Sequence, residues 1–266
     1  MLRGGLLKKA GCGFGLPVCI KLIKPNGLNT MRTVVISLGG SLVSPEAGRV
    51  DTAFLKKFRA VILKYAQRGQ RFAVIVGGGK VARAWQEALR MLITPPAPPL
   101  NLRGGPEELL DWIGIRATQL NAELVRAMFG SAAYREVAFN PAQKTAKFKV
   151  LVGAGFVPGH STDYDAVVRA KTIGAKTVIN LSNVPYVYDK DPRTHQNVKP
   201  LRTLSWREYL KRFGTRWVPG ANVPFDSKAA HFAQRAGIRV IFLSGRDLKN
   251  VELFFQSKSF RGTVIG

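Results

Sequence analysis

Short apolar runs alternate with longer stretches of helical periodicity along most of this chain. "TVVISL" (33–38) is a β-branched run closed by Gly39-Gly40, which predicts a buried strand entering a tight turn. Between Asp51 and Gly69, Phe54, Phe58, Val61, Ile62 and Tyr65 recur at helical spacing with basic residues between them. "RFAVIV" (71–76) predicts a second buried strand, and Val81, Trp85, Leu89 and Leu92 mark a helix after it. "TPPAPP" stops that helix, because proline has no N–H to donate and disfavours helical dihedrals in the residue before it. Pro106 opens the next helix, with Glu107 and Glu108 in the first turn, where negative charge is favoured. Leu120, Leu124 and Met128 continue a helix after "DWIGIRAT". "KFKVLVGAG" (147–155), "KTVINLS" (176–182) and "IRVIFLS" (238–244) read as strands, separated by the helical stretches "STDYDAVVRAKTIGA" and "PFDSKAAHFAQRAG". "SWRE" (205–208) has the spacing of a helix-capping box, and Trp206 and Trp217 are expected to pack rather than bind.

Strands alternating with helices predict an α/β fold with a mainly parallel sheet covered on both faces. Ligands in such sheets bind beyond the carboxyl ends of the strands. Four glycine-rich or polar loops fall there, at 39–41, 77–79, 153–163 and 182–191, and are expected to form one cleft.

A chain of 266 residues can bury one large α/β domain or two tightly joined lobes. No apolar run approaches the roughly 18–20 residues of a membrane helix, so no membrane partner is expected. The formal net charge of +25 favours anionic partners. Residues 1–30 hold only five Lys/Arg and no acid, so the excess is spread over the chain rather than gathered in a nucleic-acid arm. Lys8, Lys9 and scattered glycines interrupt the apolar stretch that a signal peptide needs. The fold is therefore expected to begin at Met31, with 1–30 a loose basic extension. Cys12 and Cys19 both lie in that extension, which excludes a disulfide framework or cysteine metal cluster from the body and fits a reducing, cytoplasmic setting.

Three stretches carry candidate chemistry. "VGGGKVAR" (76–83) satisfies neither familiar phosphate motif in context: no acid follows at ribose distance, and Lys80 precedes Val81 rather than Ser or Thr. What remains is a strand end without side chains, free N–H groups at a helix start, and two cations, which together suit an anion. A packing turn explains the glycines equally well. "FVPGHSTDYDA" (156–166) combines a turn at Gly159 with His160, Ser161, Thr162, Asp163 and Asp165. A helix N-cap accounts for its Ser, Thr and Asp, though not for His160. "SNVPYVYDKDPR" (182–193) places Tyr188, able to stack on a base, near Asp191, able to bind a ribose; a β-turn loop ended by Pro192 is the plainer reading.

Taken in order, "ISLGGSL", "VIVGGGKVAR", "DWIGIRATQLNAELV", "GFVPGHSTDYDA", "NLSNVPYVYDKDPR", "FDSKAA" and the terminal "GTVIG" resemble the amino-acid kinase superfamily and, within it, the archaeal-type UMP kinases. The pair "GIRATQLNA" and "PGHSTD" is the specific part. The resemblance implies a three-layer αβα sandwich, the carbamate kinase-like fold, as one domain over 31–266. It implies an acceptor half over 31–165, an ATP half over 166–266, and transfer of the γ-phosphoryl of Mg·ATP to UMP. Carried over by motif, Gly78 and Asp111 are expected to contact UMP, together with Phe156, Val157, Pro158, Gly159, His160, Ser161 and Thr162. Gly40, Ser41, Gly79 and Arg83 are expected to face the phosphates, and Ser182, Tyr188 and Asp191 the ATP nucleoside. Arg83 and Asp163 take the catalytic roles. Mg²⁺ enters with ATP, and no protein metal site is expected. Relatives imply a homo-oligomer, a hexamer by resemblance.

Three places depart from the superfamily pattern: Ser37 and Phe225 where many members carry lysines, and Pro185-Tyr186 in place of Asp-Gly. Two other readings stand beside UMP kinase. One is a kinase of isopentenyl phosphate or an amino-acid carboxylate on the same fold. The other is a catalytically degenerate nucleotide- or nucleic-acid-binding protein, against which the intact 76–83 and 156–163 loops speak.

Overall fold

The computed structural model describes residues 33–93, 105–192, 194–214 and 223–266. The expectations for 1–30, for the proline run after residue 93 and for Trp217 lie outside the described residues.

Seven strands form one sheet: β1 (Thr33–Leu38), β2 (Arg71–Val76), β3 (Val150–Gly153), β4 (Thr177–Ser182), β7 (Thr203–Leu204), β8 (Arg239–Ser244) and β9 (Thr263–Ile265), in the order β3-β2-β1-β4-β8-β9-β7. The first five in that order run parallel, β9 pairs antiparallel with β8, and β7 runs parallel to β9. A short second sheet pairs β5 (Val187–Tyr188) with β6 (Pro200–Leu201). The helices are α1 (Gly40–Val43), α2 (Thr52–Ala66), α3 (Gly79–Ile93), α4 (Gly105–Phe129), α5 (Thr162–Thr172), α6 (Trp206–Phe213), α7 (Ser227–Ala236) and α8 (Leu248–Phe255).

The strands read as continuous apolar runs because both faces are buried. Strand residues alternate between faces. Val34, Ile36, Leu38, Phe72, Val74 and Val76 pack with α2, α4 and α8, whereas Val35, Ala73, Ile75 and Val178 pack with α5, α6 and α7. Removing each large apolar side chain from water contributes roughly 1.5–3 kcal/mol. The same alternation turns Ser37 and Asn180 toward α5, a point on which the site depends. The predicted capping box is present: Ser205 caps α6, and Glu208 returns the hydrogen bond to the Ser205 backbone. Trp206 is buried in the core beneath it.

Two predicted helices turn much of their apolar spacing outward. On α3 the periodic stripe of Trp85 and Leu92 faces outward, 65% and 73% exposed, and only Ala82 is buried. On α4 the buried face is Leu110, Ile115, Thr118, Asn121, Ala122, Val125 and Phe129, while Leu120 and Leu124 are exposed. Apolar spacing marked the helices correctly but not the inward face. Where α4 supports the backbone turns of the cleft, Thr118 and Asn121 interrupt its otherwise largely apolar inward face.

Candidate active site

The loops after β1, β2 and β3 meet at one edge of the sheet. Gly39 N–H donates to Leu181 O (2.9 Å) and Gly77 N–H to Leu38 O (2.9 Å), locking the strand ends side by side. A Cβ on Gly40 would overlap the backbone of Gly77 and Gly79, so only glycine permits the two turns to touch. Gly79 also adopts φ +67°, which L side chains disfavour. Behind this contact, the buried Asn121 Nδ2 donates to Gly77 O (2.9 Å) and Gly78 O (3.1 Å). Thr118, one turn earlier, accepts from Gly155 N–H (2.8 Å). Neither residue was singled out from sequence. The signal available was a polar side chain at i, i+3 in line with apolar Ala122 and Val125.

A cavity of about 320 Å³ opens beyond these turns. It gathers Gly78, Gly79, Arg83, Asp111, His160, Ser161, Thr162 and Asp163 from the sequence expectations, with Gln86 and Asp226 among its other walls. Gly40 and Ser41 stand next to it: Gly40 packs on Gly79, and the Arg83 guanidinium donates to Ser41 Oγ (2.9 Å). Gly159 turns its N–H onto Asp111 Oδ2 (2.7 Å) with φ +94°. Phe156, Val157 and Pro158 form the outer bend of that loop and do not line the cavity, and Val157 is exposed. Ser182, Tyr188 and Asp191 also lie outside its lining. Ser182 Oγ donates to Val184 O (2.9 Å), and the half-buried Tyr188 ring meets Tyr186 edge-on at 6.1 Å.

Asp163 stands at the floor of the cavity. Ser37 Oγ (2.8 Å) and Asn180 Nδ2 (2.9 Å) both donate to its Oδ1. Burial raises its pKa to about 7, against those hydrogen bonds. Burial likewise raises Asp111, with the Gly159 N–H opposing it. Asp226, the N-cap of α7, accepts from Ser161 N–H (3.0 Å) and Ser161 Oγ (2.8 Å) on one oxygen and from Lys228 N–H (2.7 Å) on the other. Lys228 Nζ reaches the Gly159 carbonyl. The Lys228 ammonium therefore holds a loop. Phe225 sits in the core, with both backbone groups bonded to the Tyr209 hydroxyl.

Backbone N–H groups, an arginine and a buried carboxyl of raised pKa around one cavity suit two anions brought together. The profile of the Amino acid kinase family matches residues 32–244. The chain belongs to the amino acid kinase family. Similar proteins include the uridylate kinase of Archaeoglobus fulgidus, 36% identical over 88% of this chain and 97% of its own length. That of Methanospirillum hungatei is 31% identical over 88% and 95%. The crystal structure of the Archaeoglobus enzyme superposes with TM-score 0.69, covering 89% of this chain and all of the other. The UMP kinase structure from Bacillus anthracis, at 17% identity, shares the fold with TM-score 0.66, covering 88% of this chain and 96% of its own.

Proposed function

We propose that this amino acid kinase family member is a UMP kinase, which transfers the γ-phosphoryl of Mg·ATP to UMP and releases UDP and ADP. The observation that carries this is the convergence of the 77–83 turn, Asp111 and the 159–163 loop on one cavity, supported by uridylate kinase relatives that match along nearly their whole length. The kinases of other small acceptors and the degenerate binding protein are not favoured by these relatives.

The mechanism needs no general base, because a phosphate oxygen of UMP is already nucleophilic. Catalysis reduces to alignment and charge neutralisation. Arg83 is the principal cation, since a guanidinium fork grips phosphate oxygens in a bidentate way. Gly78, Gly79 and Gly40 let phosphate approach backbone N–H groups. Ser41 steers Arg83. Asp163, held by Ser37 and Asn180, fixes the floor where the phosphates meet, and its raised pKa limits repulsion of them near neutral pH. Asp111 and the 156–162 loop hold the acceptor's sugar and base. Magnesium arrives as part of the substrate Mg·ATP; among the described residues no group of three acidic, histidine or cysteine side chains stands ready to bind it independently.

The acceptor half (31–165) and the ATP half (166–266) meet across this cavity, with Ser182, Tyr188 and Asp191 on the ATP nucleoside side. The chain works in the cytoplasm as a homo-oligomer, in keeping with exposed Trp85, Met91, Leu92, Leu120 and Leu124 on α3 and α4. No helix among the described residues is long and apolar enough to cross a membrane. Sedimentation at several protein concentrations tests assembly: a monomer throughout would refute it. The function is tested by ADP release from Mg·ATP with UMP, CMP, AMP or isopentenyl phosphate offered in turn. Preferential turnover of UMP is expected, and turnover of isopentenyl phosphate alone would overturn the acceptor assignment.

A further inference from the structure

Asn121 has no part in the mechanism above, yet its whole carboxamide is spent on the turn at 77–79. The side chain is 3% exposed. Its Nδ2 donates to Gly77 O (2.9 Å) and to Gly78 O (3.1 Å), and its Oδ1 accepts from Ser44 Oγ (3.3 Å). The reverse orientation of the amide would set Oδ1 against two carbonyl oxygens, so these three partners allow only one.

Drawing two successive carbonyls to one donor group has a consequence at the other end of each peptide unit. The C=O and N–H of a planar trans peptide point in opposite directions. The partners of the Gly77 and Gly78 carbonyls are the N–H groups of Gly78 and Gly79, so both are turned away from Asn121 and lie side by side. Gly79, with φ +67°, supplies the left-handed step that such a pair of neighbouring N–H groups uses. The amides around them are committed inside the fold: Gly77 N–H to Leu38 O (2.9 Å), Lys80 N–H to Ser44 O (3.2 Å) and Ala82 N–H to Gly78 O (3.3 Å). Gly78 and Gly79 themselves line the cavity, together with Arg83.

Resting on the phosphoryl-transfer reading above, we infer that Asn121 is a positioning residue that aims the Gly78 and Gly79 N–H groups at the cavity as one anion-binding pair, which holds a phosphate oxygen during transfer. Asn121 touches no substrate and acts through the two peptide units it grips. The same helix also fixes the acceptor loop: Asp111 accepts from Gly159 N–H (2.7 Å) and Thr118 from Gly155 N–H (2.8 Å). α4 therefore sets the phosphate-binding turn and the acceptor loop at a fixed separation, with Asn121 as the contact to the first and Asp111 and Thr118 as the contacts to the second. Such alignment before the reaction is what in-line transfer between two anions requires.

The test combines kinetics and NMR on the full chain. Asn121→Asp keeps the side-chain volume and the acceptor for Ser44, but sets a carboxylate oxygen against the two carbonyls where two N–H donors stood. It is expected to lower kcat on the order of 10²-fold, as loss of a preorganised oxyanion donor does, with KM for UMP changed less than about threefold because Asp111 and Thr118 still hold the acceptor loop. A rise in KM for UMP as large as the fall in kcat would mean general loosening of the cleft and overturn the inference. With ¹⁵N-glycine labelling, tripolyphosphate added without UMP should move the Gly78 and Gly79 amide protons downfield in the parent. In the Asp variant those two shifts should be lost, while the Gly159 amide keeps its parent position. Equal shifts in parent and variant overturn the inference. Should the variant fail to fold, the parent titration still decides: unmoved Gly78 and Gly79 amides overturn the inference. Absence of UMP turnover by the parent would refute the proposed function instead, and the tripolyphosphate titration would then decide this point.

Discussion

The side of the cleft proposed to hold the acceptor and the turns carrying Ser182 and Asp189 are held by different kinds of side-chain bond. The acceptor side is stitched together by hydrogen bonds between residues far apart in sequence: Ser37 to Asp163 across 126 positions, Ser161 to Asp226 across 65, Lys228 to Gly159 across 69. The side chains of Ser182 and Asp189 bond locally, to Val184 two positions away and to Lys199 N–H ten away, while the strand behind them is tied across the fold by Val187 N–H to Thr263 Oγ1 (2.9 Å). Long-range polar bonds at partly buried sites hold a geometry, because breaking one leaves a poorly solvated group unpaired. Local turns hold only their own shape. The pocket proposed for the acceptor is thus preorganised, and selectivity for the acceptor is expected to respond to single changes more than recognition of ATP does.

The largest expected effect tests the pocket at the phosphates. Arg83→Ala should lower kcat/KM on the order of 10²–10³-fold, as removal of a preorganised charge-stabilising donor does; near-normal steady-state kinetics would discredit its role. Next is the long-range stitching itself. Asp226→Ala leaves the Ser161 N–H without its partner, at a cost of about 1–3 kcal/mol. KM for UMP should therefore rise roughly tenfold or more while KM for ATP moves little, and equal changes in both would erase the contrast between the two regions. Tyr188→Ala probes the other side. If its ring stacks on the base, KM for ATP should rise about fivefold or more, with KM for UMP unchanged. Smaller still is Ser182→Ala, whose hydroxyl bonds only the Val184 backbone; less than about threefold change in KM for ATP is expected, within the range of one exposed turn contact.

A pH prediction sharpens the same comparison. Asp163 and Asp165 both have folded-state pKa values raised above the ordinary carboxyl value, to about 7 and about 8. Raised acids favour the folded state through their protonated forms. That contribution is complete below the ordinary carboxyl pKa and is lost as pH rises through 7 and 8. The stability advantage of the parent over Asp165→Asn should therefore shrink steadily from pH 5 to pH 9 in thermal melts. A constant difference would show that Asp165 does not titrate in this window.

Much of this was legible in the chain. β1, β2, β4 and β8 declared themselves as apolar runs because strands buried on both faces need no alternation. The motifs at 76–83 and 156–163 stood out because glycine clusters at strand ends and Ser-Thr-Asp at a helix start are local features. The Ser161 N-cap is one of them, its Oγ accepting from Asp163 N–H at 3.2 Å. Even the departure at Ser37 was visible, though not its meaning. Asn121, Thr118 and Asp226 were not legible, since each acts on a backbone group 37 to 65 residues away. The inward faces of α3 and α4 were not legible for a related reason: Ala82, Thr118 and Asn121 lie against the cleft turns, and periodicity counts large apolar side chains.

The sequence by itself determined the alternation of strand and helix, the parallel sheet and the placing of side-chain-poor bends at strand ends, since these follow from periodicity and backbone sterics within a few residues. The tertiary structure decided that Ser37 and Asn180 meet on one oxygen of Asp163, that Lys228 grips a loop rather than standing free for a phosphate, and that Asp165 lies behind His160. Those facts depend on which strand neighbours which and which face a residue takes after the chain has crossed the sheet, and no local pattern encodes a contact whose partners are brought together only by the whole fold.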